Sequence, residues 1–327
     1  MVGRRPELRS DERVAQEVAA APIDAVAFAP IRARTPWQLT LNRVRRDRVA
    51  IAALVVLVLI ASAAILAPAI AHLLGHGPNT QYGQGLSSDG LPRGPSGRFL
   101  SGTDDLGRDV LVRVLYGARI SLLVGVVASG AAVAVGVAVG LVAGYFGGVV
   151  DSVLARLIDL NLSLPFLLSA IAIVSLVGPS LPVALGLIAF FSWAPLGRVV
   201  RTLTASLRRR EFVEAARSLG AGDLRIMAFE IFPNLVGPVL VYLTLLVPTA
   251  IIFEATLSFL GLGVSPPTPT WGNMLAESLG YYQVAWWFVL APGAALLLTT
   301  LCFNLLGDSI RDALDPRAGA LFRVRGA

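Results

Sequence analysis

The chain has 327 residues, of which 55% are hydrophobic and 15% are charged, and its formal net charge is +6. This composition argues against a soluble globular protein and indicates an integral membrane protein. All 27 basic residues are arginine, so the chain lacks the lysine that a Walker A ATP-binding loop or a lysine Schiff base requires.

The first predicted element is a mostly disordered cytoplasmic tail over residues 1–48, with mixed charge and no signal-peptide core. The apolar run 49–71 follows, and its 23 residues exceed the roughly 20 that cross a bilayer, so we predict the first transmembrane helix there. The basic residues before it favour a cytoplasmic N-terminus: Arg43, Arg45, Arg46 and Arg48.

Residues 72–120 are predicted to form an extracytoplasmic loop that ends in an interfacial helix. Thr103 or Asp104 is placed to cap this helix at its start. Arg108 and Arg113 fall outside the apolar stripe of the helix, as expected for a segment that lies at the membrane surface.

Two patterns in this loop were considered as metal sites. His72 and His76 are spaced like ligands on a helix, but the neighbouring glycines oppose a helix and no third ligand lies near. The aspartates that follow Thr103 lack the spacing and the terminal glutamate of a calcium loop. We therefore predict no metal site.

Residues 121–306 are predicted to carry five further spans, so we expect an all-α integral membrane protein with six transmembrane helices. The later spans are assigned to residues 122–146, 151–177, 181–200, 233–256 and 285–306. Pro165 is predicted to kink the third span. Glycines in the second span permit close helix packing: Gly125, Gly136, Gly140 and Gly144.

Three ionisable side chains fall within predicted spans, where such groups are functional candidates. Arg156 and Asp159 are three residues apart in the third span and are spaced to pair with each other. Glu254 lies near the outer end of the fifth span. It either serves the function directly or has a structural role, in which it snorkels to the interface or bonds the backbone of the next loop.

A polar segment interrupts the apolar runs at residues 201–233, and the rest of the chain is organised around it. We predict two short amphipathic helices here, joined by a bend at Gly220 and Gly222, with Asp223 capping the second helix and Pro233 ending it. Such a pair suits docking into a groove on a partner protein. Apolar residues recur at helical spacing: Phe212, Ala215, Ala216 and Leu219, then Leu224, Met227, Ala228 and Ile231.

The arginines predict the orientation of the chain. Twenty-one lie in segments assigned to the inner side and five in the outer loop. We therefore expect both termini, including the C-terminal tail 307–327, and the segment 201–233 in the cytoplasm. The arginines cluster beside apolar spans, where they set the orientation of a membrane protein. We therefore expect no nucleic-acid partner.

The segment around Glu214 resembles the EAA loop of bacterial ABC importer permeases. The family pattern is Glu-Ala-Ala, three residues, Gly, nine residues, Ile, one residue and Leu-Pro. Glu230 and Phe232 depart from it at the Ile and Leu positions. In that family the loop docks on a separate ATPase, so the resemblance implies a coupling role for this segment, which includes Asp223. The matching residues are Glu214, Ala215, Ala216, Gly220 and Pro233.

Other segments resemble the dipeptide, oligopeptide and nickel branch of this family, and the chain looks like its C-type membrane subunit. The resemblance covers about residues 37–317 and implies the type I importer fold. It also implies a second permease subunit, two ATP-binding subunits that hydrolyse ATP, an extracytoplasmic solute-binding protein and membrane lipid. No cofactor is implied. The segments are GTDDLGRD, YGARISL, EATLSFLGLG, PPTPTWGNML and NLLGDSIRDALDP.

Other functions were weighed against an importer. An intramembrane enzyme needs facing ionisable groups, and only Arg156, Asp159 and Glu254 qualify, so we predict no catalytic residues. An ATP-independent channel or carrier would have no use for a docking loop. For an importer, the expected solutes are di- or oligopeptides, with nickel or glutathione as alternatives.

Overall fold

The computed structural model describes residue 45 and residues 47–314, which belong to one compact unit. Most of the predicted N-terminal tail, and the C-terminal tail beyond residue 314, lie outside the described residues. Residues 47–314 are predominantly helical and contain no β-strand. The helices are α1 (Arg48–Ile65), α2 (Ala67–Leu74), α3 (Val110–Phe146), α4 (Gly148–Ser163), α5 (Phe166–Val177), α6 (Leu181–Leu207), α7 (Glu211–Ser218), α8 (Asp223–Phe259), α9 (Trp271–Ser278) and α10 (Trp286–Leu314).

Five of these helices, α1, α3, α6, α8 and α10, are long and apolar enough to cross a membrane. The pair α4 and α5 is apolar enough only when taken together, and it bends by 84°. Counting this pair as one broken span gives the six spans that the sequence predicts. The backbone is extended at Leu164 and Pro165, because a proline disfavours a helical conformation at the residue before it. The predicted kink is therefore a complete break.

Helices α3 and α6 pack backbone against backbone. A β-carbon on Gly136 would lie 2.7 Å from the Trp193 carbonyl oxygen, and one on Gly140 would lie 2.5 Å from that of Gly197. Gly144 faces the next turn of α6 in the same way. Only glycine allows so close an approach, so the predicted packing role of these residues is confirmed.

The predicted interfacial helix is not a separate element. α3 begins at Val110 and continues for 37 residues, so the amphipathic segment forms the first turns of a spanning helix. The helix does not begin earlier because Gly107 has a φ of +74°, a left-handed conformation, and the backbone of Asp109 is extended. Asp109 is the capping residue, and its carboxylate accepts a 3.2 Å hydrogen bond from the Val112 N–H. The predicted caps, Thr103 and Asp104, are therefore wrong.

Candidate functional site

Residues 201–233, which we call the EAA loop, fold as the end of α6, the short helix α7 and the first turns of α8. α7 ends in a Schellman motif, in which the Ala221 N–H donates to the Ala216 carbonyl at 3.1 Å and the Gly220 N–H donates to the Arg217 carbonyl at 3.0 Å. Gly220 has a φ of +84°. The bend predicted at Gly220 is confirmed, and a β-carbon there would strain the backbone.

The second short helix of the EAA loop is continuous with the fifth span, contrary to the prediction. α8 starts at Asp223, passes through a π-helical turn at Ile226–Ile231 and continues to Phe259. The Phe232 N–H bonds to the carbonyl of Met227, five residues earlier. Pro233 therefore lies at the start of the regular helix, where its missing N–H is tolerated, and does not end a helix.

Asp223 connects the EAA loop to α3 instead of capping a helix. Gly222 occupies the capping position, and Oδ1 of Asp223 accepts a 2.7 Å hydrogen bond from the hydroxyl of Tyr145. Nη2 of Arg217 lies 3.5 Å from the same hydroxyl. Sequence reasoning missed this network, because no local pattern links Tyr145 to residues that follow it by more than seventy positions.

One face of the EAA loop packs into the end of the helix bundle. Val213, Ile226 and Ile231 are fully buried in a cluster that also contains Tyr145 of α3. Ala216 is half-buried against this cluster, whereas Ala215 is exposed. The predicted apolar face is therefore only partly correct, because α7 turns a residue outside that face, Val213, toward the bundle.

The opposite face of the EAA loop exposes large apolar side chains. Leu219 and Leu224, on either side of the bend, are 89% and 80% exposed, and Phe212 and Phe229 are also exposed. Charged residues alternate with them along the loop: Glu211, Glu214, Arg217, Asp223, Arg225 and Glu230. This mixture disfavours the hydrocarbon core, and exposed apolar side chains of this kind are typical of a surface that binds a partner protein or the membrane interface.

The pair predicted between Arg156 and Asp159 does not form. Asp159 is bound instead by Arg198 of α6, with 2.6 Å between Oδ1 and Nη2. Arg156 is exposed and makes no ion pair within residues 47–314. The partner of Asp159 thus comes from α6, whereas the sequence spacing predicted a partner on the same helix, α4. More than half of each paired side chain is exposed, so this ion pair contributes little stability.

Glu254 is fully buried where three helices meet. Its carboxylate accepts hydrogen bonds from the hydroxyls of Ser121 on α3 at 2.9 Å and Ser258 on α8 at 2.7 Å, and from the side chain of Thr270 before α9. The predicted bond to the backbone of the next loop is wrong. These residues come from YGARISL, EATLSFLGLG and PPTPTWGNML, so three segments of the resemblance converge on one carboxylate.

We expect Glu254→Leu to lower the thermal stability of the purified protein. The substitution leaves the Ser121 and Ser258 hydroxyls without their acceptor, at a cost of about 1–3 kcal/mol for each buried polar group. Glu254→Gln is the matched control and should melt close to wild type, since its amide oxygen accepts from one serine hydroxyl and its NH2 donates to the other at the same side-chain length. Melting of both variants in detergent tests this, and equal melting temperatures for Glu254→Leu and wild type would contradict it.

The GTDDLGRD segment builds a buried ion network with α9. Asp104 receives Nε of Arg108 at 2.5 Å, and both Arg108 and Arg113 lie 3.0 Å from Glu277. Arg113 is only 1% exposed, although the predicted surface helix would have left it at the interface. Burial raises the pKa of Glu277 above its ordinary value, and the two arginines oppose that shift. Asp105 adds a third carboxylate, 3.5 Å from Nη2 of Arg108, so two guanidinium groups face three carboxylates.

The two histidines considered as ligands do not converge on a site. Nδ1 of His76 lies 2.6 Å from Oδ2 of Asp109, and its ring stacks on Phe99 with 4.8 Å between centroids. His72 is exposed on α2. His76 therefore helps to hold the helix cap Asp109 in place.

Residues 136–319 match the family described as the binding-protein-dependent transport system inner membrane component. The chain belongs to this family. Residues 35–90 of the permease match the N-terminal transmembrane domain of oligopeptide transport permease C. The family resemblance and the fold class predicted from the sequence are thus confirmed, and the permease is a membrane component of an ABC importer rather than its ATPase.

Named relatives are similar to the permease over most of its length. It is 41% identical to the dipeptide transport system permease protein DppC of Alkalihalophilus pseudofirmus, over 86% of the permease and 90% of that protein. It is 44% identical to the oligopeptide transport system permease protein OppC of Escherichia coli K12, over 88% and 93%. It is 41% identical to the glutathione transport system permease protein GsiD of Escherichia coli O6:K15:H31, over 88% and 93%.

Proposed function

We propose that the permease forms half of the pathway by which an ATP-driven importer moves di- or oligopeptides across the cell membrane. A second permease subunit supplies the other half, two ATP-binding subunits drive the cycle, and a solute-binding protein delivers the solute. The names of the dipeptide and oligopeptide relatives support a peptide solute. The glutathione relative supports glutathione as the second candidate.

The EAA loop has one buried face and one exposed face, and this arrangement supports the proposal that the loop couples the permease to an ATPase. Its inner face is fixed to α3 and α6, and its outer face leaves Leu219 and Leu224 exposed. Burying a leucine side chain contributes about 1.5–3 kcal/mol. These two leucines therefore gain from entering a groove on the ATPase, and movement of that groove passes directly to the bundle.

Each residue of the EAA pattern has a role in this proposal. Glu214 is exposed and meets a basic group of the ATPase, while the small exposed side chain of Ala215 allows close approach. The neighbouring Ala216 and the bend at Gly220 fix the shape of the loop. Asp223 transmits force to α3 through Tyr145, and Pro233 begins the spanning part of α8.

The proposed orientation places both termini and the EAA loop in the cytoplasm. We expect reporters fused after Leu207 and after Leu314 to give cytoplasmic signals, and a reporter inserted between residues 83 and 97 to give an extracytoplasmic one. The reason is the concentration of arginine on the inner side. A cytoplasmic signal from the insertion between residues 83 and 97 would show that the orientation proposed for the first two spans is wrong.

Uptake in reconstituted vesicles tests the proposed function. Vesicles that hold this permease, its partner permease and both ATP-binding subunits should take up labelled dipeptide when ATP and the solute-binding protein are supplied. Vesicles without the partner permease should show no uptake, because one chain supplies only half of the pathway. Labelled glutathione is compared in parallel. Full uptake without the partner would refute the heteromeric pathway, and exclusive uptake of glutathione would refute a di- or oligopeptide solute.

A further inference from the structure

An arginine-rich cleft lies beside the EAA loop, where α3 and α6 end and α4 begins. Its volume is about 1110 Å³, far more than a single phosphate ion occupies. Five arginines line it against two carboxylates, Asp151 and Glu214, so the cleft carries a net positive charge. We propose that this cleft binds the phosphate headgroup of an anionic phospholipid. The lining arginines are Arg201, Arg208, Arg209, Arg210 and Arg217.

Three of these arginines are held in place by contacts within the protein, so the cleft is preorganised to bind an anion. Nη2 of Arg201 lies 2.7 Å from Oδ2 of Asp151, and Nη1 of Arg208 donates to the Phe146 carbonyl at 3.2 Å. Arg217 is held near Tyr145. Their remaining N–H groups stay available, because a guanidinium has five donors and these contacts use only one or two.

Arg209 and Arg210 are the arginines that the fold leaves for a ligand. Both are exposed, and neither makes a side-chain hydrogen bond or ion pair within residues 47–314. Adjacent arginines with free donors suit the several acceptor oxygens of a phosphate group, which the guanidinium binds in bidentate fashion. Basic pockets between spanning helices on the cytoplasmic side of a membrane bind anionic headgroups in this way.

Exposed apolar side chains lie close to the cleft along the chain. Phe146 directly precedes Gly147 of the cleft, and Val149 and Val153 lie two residues before and after Asp151; the three are 45%, 79% and 55% exposed. Val149 and Val153 lie one turn apart on α4 and share the face opposite Asp151, so they do not line the cleft. The experiment therefore includes an arm that distinguishes a lipid headgroup from free phosphate.

The test uses the full chain in nanodiscs made of equal parts phosphatidylglycerol and phosphatidylcholine, with retained lipid measured by native mass spectrometry. Wild type should retain phosphatidylglycerol, and the double substitution Arg209→Gln and Arg210→Gln should lose it by about fivefold for each arginine, roughly 25-fold together. The matched control, Arg225→Gln with Arg311→Gln, removes the same charge from exposed arginines outside the cleft and should retain wild-type levels.

Further variants and measurements separate the alternatives. Arg209→Lys with Arg210→Lys keeps the charge but loses the bidentate geometry, so it should retain an intermediate amount of lipid. A wild-type melting temperature for the glutamine variant shows that its loss of lipid is not unfolding. Unchanged retention in the glutamine variant would overturn the proposal. Displacement of the lipid by millimolar inorganic phosphate would assign the cleft to free phosphate. If the glutamine variant loses the ATP-binding subunits but keeps its lipid, the cleft binds protein and not lipid. Lipid retention does not depend on the coupling role of the EAA loop, so a failure of that proposal would leave retention unchanged.

Discussion

Gly220→Val should detach the ATP-binding subunits from the permease while leaving its abundance in the membrane unchanged. Gly220 has a φ of +84°, and a left-handed conformation costs a residue with a β-carbon about 1–2 kcal/mol. That cost lowers the population of correctly shaped loop by roughly 5–30-fold. The helix end would rearrange and Leu219 would leave its docking position. Co-purification of the ATP-binding subunits and solute-stimulated ATP hydrolysis measure the loss.

Gly222→Val is the matched control for this substitution. Gly222 lies two residues further along the same bend, and a β-carbon at either glycine would meet no atom within 4 Å. Gly222 differs in having a φ of −72°, which valine adopts without strain. We therefore expect Gly222→Val to keep most of the bound ATPase. If Gly220→Val retains the ATPase and full stimulation, the EAA loop does not couple the two parts.

Gly140→Val should abolish accumulation of the folded permease in the membrane. A β-carbon on Gly140 would lie 2.5 Å from the Gly197 carbonyl oxygen and 2.9 Å from the Arg201 backbone nitrogen. Backbone atoms cannot move aside as side chains do, so α3 and α6 must separate along their length. The cost should exceed the about 1–3 kcal/mol of a typical overpacked core. Membrane abundance and the melting temperature of any purified protein measure the effect.

Gly130→Val on the same helix is the control. Gly130 is exposed, and a β-carbon there would meet no atom within 4 Å. This variant should accumulate and melt like wild type. Equal abundance of Gly130→Val and Gly140→Val would show that close approach of α3 and α6 is not required for the fold.

The sequence predicted the family, the helical class and the bend at Gly220 because these depend on local signals. Apolar runs of sufficient length indicate spanning helices, and the glycine at the end of α7 indicates a left-handed residue. The glycines of α3 also indicated close packing, although the helix they pack against was not evident. The predicted helix boundaries at Pro233 and at Thr103 failed, since π-helical and left-handed turns near those positions depend on hydrogen bonds that the sequence pattern does not display.

The partners of polar side chains were decided only by the tertiary structure. Asp159 pairs with Arg198 rather than Arg156, and Asp223 bonds Tyr145 rather than a helix end. Likewise, the Glu254 carboxylate accepts hydrogen bonds from side chains of α3, of α8 and of the residue before α9. By itself the sequence indicated which segments are long and apolar enough to cross a membrane, because transfer into lipid acts on each segment separately. The crossing of the helices determined which distant residues meet, because hydrogen bonds and ion pairs act over a few ångströms whatever the separation along the chain.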